Sequence, residues 1–231
     1  MAYLPIFVNL TGRRCVVVGG GQVAERKVAS LLEAEAKVCV VSPTLTAELM
    51  RHVADNAIEH RRRGWQPGDL EDCTLAFAAT DDAQLHRQIA DEARSLGVPL
   101  NVADEPELCD FIAPSVVRRG DLQIAISTSG ASPALASRMR RDLEVIIGSE
   151  YETVTNILRA ARFYLRETEL DPNKRARALQ AIAFSPIADH IRGADWSAVD
   201  GLLMEHLGAG LDGLGFSAQA LIAAHEIARN A

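Results

Sequence analysis

The sequence predicts an α/β fold. A parallel sheet covered by helices on both sides comes first, then a short mixed segment, then a wholly helical C-terminal region. Three observations carry this prediction. Short valine-rich runs alternate with amphipathic, helix-length segments over the first half of the chain. Those runs are apolar on both faces, as the strands of a buried parallel sheet must be. Beyond about residue 149 the strand runs cease and helical patterning takes over.

Residues 5–10 read as a short extended lead-in. The first strand spans 15–18 and flows into Gly19-Gly20-Gly21, then into a helix over 22–33 with Val28, Leu31 and Leu32 inward. Gly19 and Gly21 fill the first two positions of a G-x-G-x-x-G/A turn, and Ala24 fills the third. Gly19 permits a sharp exit from the strand. Gly21, without a Cβ, lets a diphosphate approach the backbone. Ala24 lets the helix lie close to the sheet. Free N–H groups near Gln22 and Val23, at the positive end of the helix dipole, then face the phosphates. The segment predicts a Rossmann-like dinucleotide site; a merely tight strand-to-helix turn is the alternative.

A second strand, 38–41, stops at Ser42-Pro43, where proline ends ladder pairing. Thr46 is a suitable N-cap for a helix through Leu49, Met50 and Val53. Strands follow at 58–61 and 75–79, the latter ending at Thr80-Asp81-Asp82. A helix over 83–95 stops at Gly97, and a fifth strand spans 100–102. The pattern then changes. Residues 111–117 and 122–127 read as two extended segments around a turn at 118–121, outside the parallel sheet. A polar loop, Ser127–Ala131, precedes Ser132, which caps a helix with Pro133 at its first position. That helix carries Leu135, Met139, Leu143 and Ile147. Further helices are predicted at 151–167, 173–183, 196–207 and 217–229. The expected partition is 1–113, a dinucleotide-binding domain; 114–149, a bridging segment; and 150–231, a helical domain.

Composition narrows the function. The chain has 231 residues, a net charge of −7 and 48% apolar residues. An acidic chain is not a general nucleic-acid binder. No apolar run approaches a membrane span and the N-terminus lacks signal-peptide character, so a cytoplasmic location is expected. Cys15, Cys39, Cys73 and Cys109 match neither zinc spacing nor a C-x-x-C pair, so no protein-held metal is expected.

Several blocks together resemble a known family. They are residues 4–7, 17–27, Ala78-Ala79-Thr80-Asp81-Asp82, Asn101-Val102-Ala103-Asp104, Phe111-Ile112-Ala113-Pro114-Ser115 and 127–133. In this order they resemble the precorrin-2 dehydrogenase/sirohydrochlorin ferrochelatase family, the siroheme-synthase dehydrogenase module, over about residues 3–147. The chain resembles the stand-alone form, without the methyltransferase domain of the fused enzymes. The resemblance implies oxidation of precorrin-2 to sirohydrochlorin with NAD⁺. In many members Fe²⁺ is then inserted as a second substrate. It also implies a homodimer, with 114–149 as a dimerisation segment.

The site residues follow from both readings. Gly19, Gly21, Gln22 and Val23 lie along the diphosphate. Ser42 stands where a ribose-binding Asp or Glu is common, so the choice of NAD over NADP comes from the resemblance. The resemblance places Pro43 and Thr44 against the adenosine half. Ala79 and Thr80 border the cofactor, or simply end a strand. Asp104 follows the end of a strand expected to be central, where ligands of open parallel sheets bind, and can serve as the base in dehydrogenation; a surface turn before Pro106 is the alternative. Ser127, Thr128 and Ser129 offer hydroxyls and N–H groups to a substrate carboxylate, or form an ordinary capping loop. Arg118 and Arg119, in a basic middle segment, suit a tetrapyrrole with many carboxylates, although a solvated face is the ordinary use of such residues. Two other classes remain open: a dinucleotide-binding regulatory module, and an NAD-dependent dehydrogenase of another small metabolite.

Overall fold

A computed structural model describes residues 3–169 and 171–217. Beyond its first residue, the helix expected over 217–229 lies outside them. The chain divides into two compact units, Met1–Ala113 and Pro114–Ala231, each with its own core.

The first unit is a sheet of five parallel strands in the order β3-β2-β1-β4-β5. The strands are β1 (Arg14–Val18), β2 (Lys37–Val41), β3 (Ile58–Arg61), β4 (Leu75–Ala78) and β5 (Leu100–Val102). Because side chains alternate across a strand, Cys15 and Val17 of β1 enter one core while Val16 and Val18 enter the other. Helix α1 (Gln22–Glu33) buries Ala24, Val28 and Leu31, and α2 (Ala47–Ala54) buries Leu49, on the Val17 side. Helix α3 (Ala83–Leu96) buries Ile89, Ala90 and Ala93 on the Val16 side. All four of these β1 side chains are at most 2% exposed, and each contributes about 1–3 kcal/mol by leaving water. Residues 5–10 form no regular element, although Leu10 is buried.

The strand order corrects one expectation. β5 lies at the edge of the sheet and not at its centre. The reversal in strand order falls between β1 and β4, so the crevice of an open sheet opens there. Residues 62–74, which link β3 to β4 across the sheet, contain turns and no helix. Buried Asp69 organises them. Its carboxylate accepts from Arg61 (2.7 Å), Arg63 (2.6 and 2.7 Å) and the Gln66 N–H (2.8 Å).

In the second unit β6 (Ser115–Arg119) and β7 (Leu122–Ile126) form an antiparallel hairpin. Its two-residue turn begins at Gly120, whose φ of +54° favours glycine. Helix α4 (Pro133–Ile146) packs Ala136 against Val117 and Ile126. Then come α5 (Glu150–Thr168), α6 (Pro172–Phe184), α7 (Ile187–Arg192) and α8 (Trp196–Leu207), around a core of Ile157, Ile182, Ile191, Val199 and Leu203. The short α7, directly after Pro186, was not anticipated from the sequence. Neither were the 3₁₀ turns Pro106–Leu108 and Asp212–Leu214. The buried Glu150 pairs with Arg192, tying α5 to α7 at 2.5 Å.

Candidate functional site

The turn after β1 is built by its three glycines in three different ways. Gly19 has φ +120° and lies against the backbone of Ala79, whose carbonyl oxygen occupies the place a Cβ would take. The Gly19 N–H donates to the Val41 carbonyl (2.9 Å), and the Ala79 N–H donates to Val18 (2.7 Å). Gly19 therefore sits where β1, β2 and β4 all meet the crevice. Gly20 is packed against the Thr44 carbonyl and the Ser42 hydroxyl, and its own carbonyl accepts from the Thr46 N–H at 3.0 Å. Gly21 faces open space. It is the N-cap of α1 with extended backbone, and no side chain caps the helix. The first N–H groups of α1, at Gln22 and Val23, thus face a concavity that a Cβ does not fill. That is the local chemistry a diphosphate needs. The residues fit a dinucleotide.

Beside this turn the N-termini of α1 and α2 flank a groove of about 590 Å³, lined by Gln22, Val23, Glu25, Thr46 and Ala47 among others. Thr46 accepts from the Leu49 N–H (3.3 Å) as the expected N-cap. It also donates to Glu25 Oε2 (2.6 Å), which locks α2 to α1. The Ser42 hydroxyl is turned inward: Ser42 is 5% exposed and donates to the Thr44 carbonyl at 2.7 Å. It shapes the turn through Pro43 and Thr44. Gly20, passed over in the sequence reading, is the residue this turn presses upon.

Asp104 follows β5 with φ +61°, a left-handed conformation unusual outside glycine. Its side chain is exposed. The loop that carries it is pinned repeatedly. The Ala103 N–H donates to Ala78 (2.9 Å), the Val102 N–H to Cys109 Sγ (3.1 Å), and the Leu100 N–H to Asp110 Oδ2 (3.0 Å). Glu105 contacts His86 of α3, and the other ring nitrogen of His86 contacts Thr80. Lys27, on α1, has its ammonium 5.3 Å from the centre of the Phe77 ring and within electrostatic reach of Asp104. Burial and neighbouring Arg26 lower its pKa, against the pull of Cys109 and Asp104. Neither His86 nor Lys27 belongs to a recognisable spacing, so sequence reasoning missed both.

The remaining expected residues lie in the second unit. The Ser127 and Thr128 hydroxyls accept from the Ser129 N–H (3.0 Å) and the Ser132 N–H (2.9 Å). Ser129 and Gly130 are both left-handed, at φ +52° and +88°. Ser132 caps α4 through the Leu135 N–H at 3.1 Å. Arg118 is half-buried on β6. Arg119 is turned away from the role expected of it. Its guanidinium donates to the carbonyls of Ile147 (2.9 Å), Arg118 (2.8 Å) and Glu144 (3.0 Å), so it closes the C-terminus of α4. Burial, the largest influence on each, raises the thiol pKa of all four cysteines, Cys15 and Cys39 to about 11. Among the described residues no cluster of three His, Cys, Asp or Glu side chains can hold a metal ion, and no helix is long and apolar enough to cross a membrane.

Comparison with known proteins bears on the same residues. An NAD(P)-binding family model matches residues 6–115, and the model of the sirohaem biosynthesis protein central region matches 119–145. Siroheme synthase of Thioalkalivibrio sulfidiphilus is 38% identical over 212 residues, covering 92% of this chain and 43% of the relative. Siroheme synthase of Methylobacillus flagellatus is 44% identical over 151 residues, covering 65% of this chain and 32% of the relative. The chain therefore spans less than half the length of these curated relatives. A solved structure of SirC, precorrin-2 dehydrogenase, aligns with TM-score 0.66 and 26% identity over 80% of this chain and 92% of that one.

Proposed function

We propose that this chain, which belongs to the siroheme synthase family, oxidises precorrin-2 to sirohydrochlorin with NAD⁺ as hydride acceptor. The observation that carries this reading is the uncapped N-terminus of α1, opening beside Gly21 at the reversal of the sheet. Family membership supplies the substrate. Gly21, Gln22 and Val23 hold the diphosphate through backbone N–H groups, and Gly19, whose own N–H is bound to the Val41 carbonyl, makes the turn that presents them. The turn Ser42-Pro43-Thr44 supports the adenosine half, and Ala79 and Thr80 border the nicotinamide half. When bound, the nicotinamide accepts a hydride. Oxidation also releases a proton, and Asp104, exposed at the end of β5, is the base that takes it. Ser127, Thr128, Ser129 and Arg118 bind carboxylates of the tetrapyrrole. Insertion of Fe²⁺ into the product needs no protein-held metal cage, because the macrocycle supplies four nitrogens; the metal is then a substrate. Leu135, Met139, Val145 and Ile146 are apolar and exposed on or beside α4, which supports a homodimer through this segment.

Asp104 tests the reading most directly. Asn tolerates the left-handed backbone that Asp104 adopts, whereas Ala is strained there by about 1 kcal/mol. Asp104→Asn is therefore expected to fold and to bind NAD⁺ as the parent does, yet to lose nearly all NADH formation from precorrin-2, followed at 340 nm. Asp104→Ala is expected to be equally inactive and slightly less stable. An Asp104→Asn protein with parental turnover removes Asp104 from the chemistry. A parent that fails to reduce NAD⁺ with precorrin-2 removes the reaction itself. A second arm adds Fe²⁺ to the sirohydrochlorin product and reads the siroheme spectrum.

A further inference from the structure

We propose that His86 is a positioning residue for this reaction: a buried imidazole that fastens the loop bearing Asp104 to the strand end bearing Thr80. The inference rests on the reading of Asp104 as the base. His86 lies in the first half of α3 and is 3% exposed. Its two nitrogens engage two separate segments. Nδ1 stands 2.6 Å from Glu105 Oε1, and Nε2 stands 3.0 Å from Thr80 Oγ1. Thr80 follows Ala79, whose carbonyl abuts Gly19 at the dinucleotide turn. Glu105 follows Asp104. One ring thus joins the second residue beyond the end of β4 to the residue after the proposed base.

The chemistry fixes the direction of the bond to Glu105. A carboxylate can only accept, so Nδ1 carries the hydrogen that reaches Glu105. In the neutral ring Nε2 is then an acceptor, and the Thr80 hydroxyl donates to it. That leaves the Thr80 oxygen to accept from the Asp82 N–H, at 3.4 Å. A hydrogen bond whose acceptor is charged is the stronger kind, and here it lies in a mostly buried place. Asp104 needs such support. Its left-handed backbone is unfavourable for a residue with a Cβ, and such conformations persist only where neighbouring contacts hold them. The pins at Ala103, Val102 and Leu100 hold the loop on its β5 side. The His86–Glu105 bond holds it on the other side, toward α3. Because a misplacement on the order of 1 Å can cost about a hundredfold in rate, a loosened Glu105 should be felt in turnover before it is felt in binding.

Two variants separate the two bonds. The amide of Asn reaches the place of Nδ1, and the amide of Gln reaches the place of Nε2. His86→Asn keeps the bond to Glu105; His86→Gln keeps the bond to Thr80 and loses Glu105. The proposal expects His86→Gln and Glu105→Ala each to lower kcat about tenfold or more, with KM for precorrin-2 and Kd for NAD⁺ within about twofold of the parent. His86→Asn should retain most of kcat, and the His86→Gln/Glu105→Ala double variant should be no slower than either single one. Parental kcat in His86→Gln or Glu105→Ala overturns the proposal. So does a parallel loss of kcat, NAD⁺ affinity and Tm in all His86 variants, which marks a role in folding alone. Asp104→Asn is assayed alongside. If it is active, the base assignment fails; if it is inactive while His86→Gln turns over normally, only the positioning role fails.

Discussion

Gly19 and Ala79 meet backbone to backbone where β1 and β4 part, and no side chain fits between them. Two glycines further on, Gly21 has open space where its Cβ would stand. The same fingerprint therefore holds one glycine that the fold requires and another that it leaves open for the proposed diphosphate. Gly19→Ala is expected to destabilise the protein by several kcal/mol, since φ +120° and the Ala79 carbonyl both oppose a Cβ. Gly21→Ala is expected to change Tm little and to weaken NAD⁺ binding about tenfold or more, by setting a methyl where the diphosphate approaches. Thermal melts and calorimetry on the two variants check this. Equal losses of stability would show that Gly21 also serves the fold.

Asp69 makes a prediction about acid. Burial by itself raises its pKa, but the hydrogen bonds from Arg63, the Gln66 N–H and Arg61 outweigh burial and hold it at about 2. The ordinary value is about 3.9, so the folded state binds this proton less readily than the unfolded one. The resulting stability is fully present above about pH 4 and is lost as pH falls toward 2, an amount on the order of 2 kcal/mol. Asp69→Asn should be less stable near neutrality, because Arg61 and Arg63 lose their shared partner. Its urea midpoint should then decline less between pH 5 and pH 2 than that of the parent. Parallel declines would show that Asp69 is not the group that titrates.

Much of this was legible in the sequence, and the boundary has a physical cause. Strand β3 and helix α8 occupy the ranges expected, 58–61 and 196–207, because patterning and stop signals act over a few residues. The alternation of strands and helices also implied parallel pairing. Which strand is an edge is decided by neighbours far along the chain, and so β5 was misplaced at the centre. Helix α7 has only six residues behind Pro186, too few for helical periodicity to register. At the proposed site, Gly19, Gly21 and Asp104 are candidates that motif and strand end single out. His86 is not, since its partners Thr80 and Glu105 lie on separate segments that only the folded sheet brings together.

Arg119 shows the same limit and supplies the last prediction. Read as sequence, it is one of several arginines suited to a polycarboxylate. In the structure three of its donors go to main-chain carbonyls at Glu144, Ile147 and Arg118. The last carbonyls of a helix have no partner within it, and Glu144 and Ile147 are two such groups at the end of α4. A guanidinium already bound in this way has little left for a substrate carboxylate. Arg119→Ala should therefore lower stability by about 1–3 kcal/mol, from lost charge-assisted hydrogen bonds and exposed carbonyls, while leaving KM for the tetrapyrrole within about twofold. Arg119→Lys should recover only part of the stability, because one ammonium cannot reproduce a planar fork reaching three carbonyls. Chemical denaturation and steady-state kinetics on the same preparations decide the matter. If KM rises tenfold in Arg119→Ala with the unfolding midpoint unchanged, the side chain leaves its helix end to meet substrate, and the capping assignment is wrong.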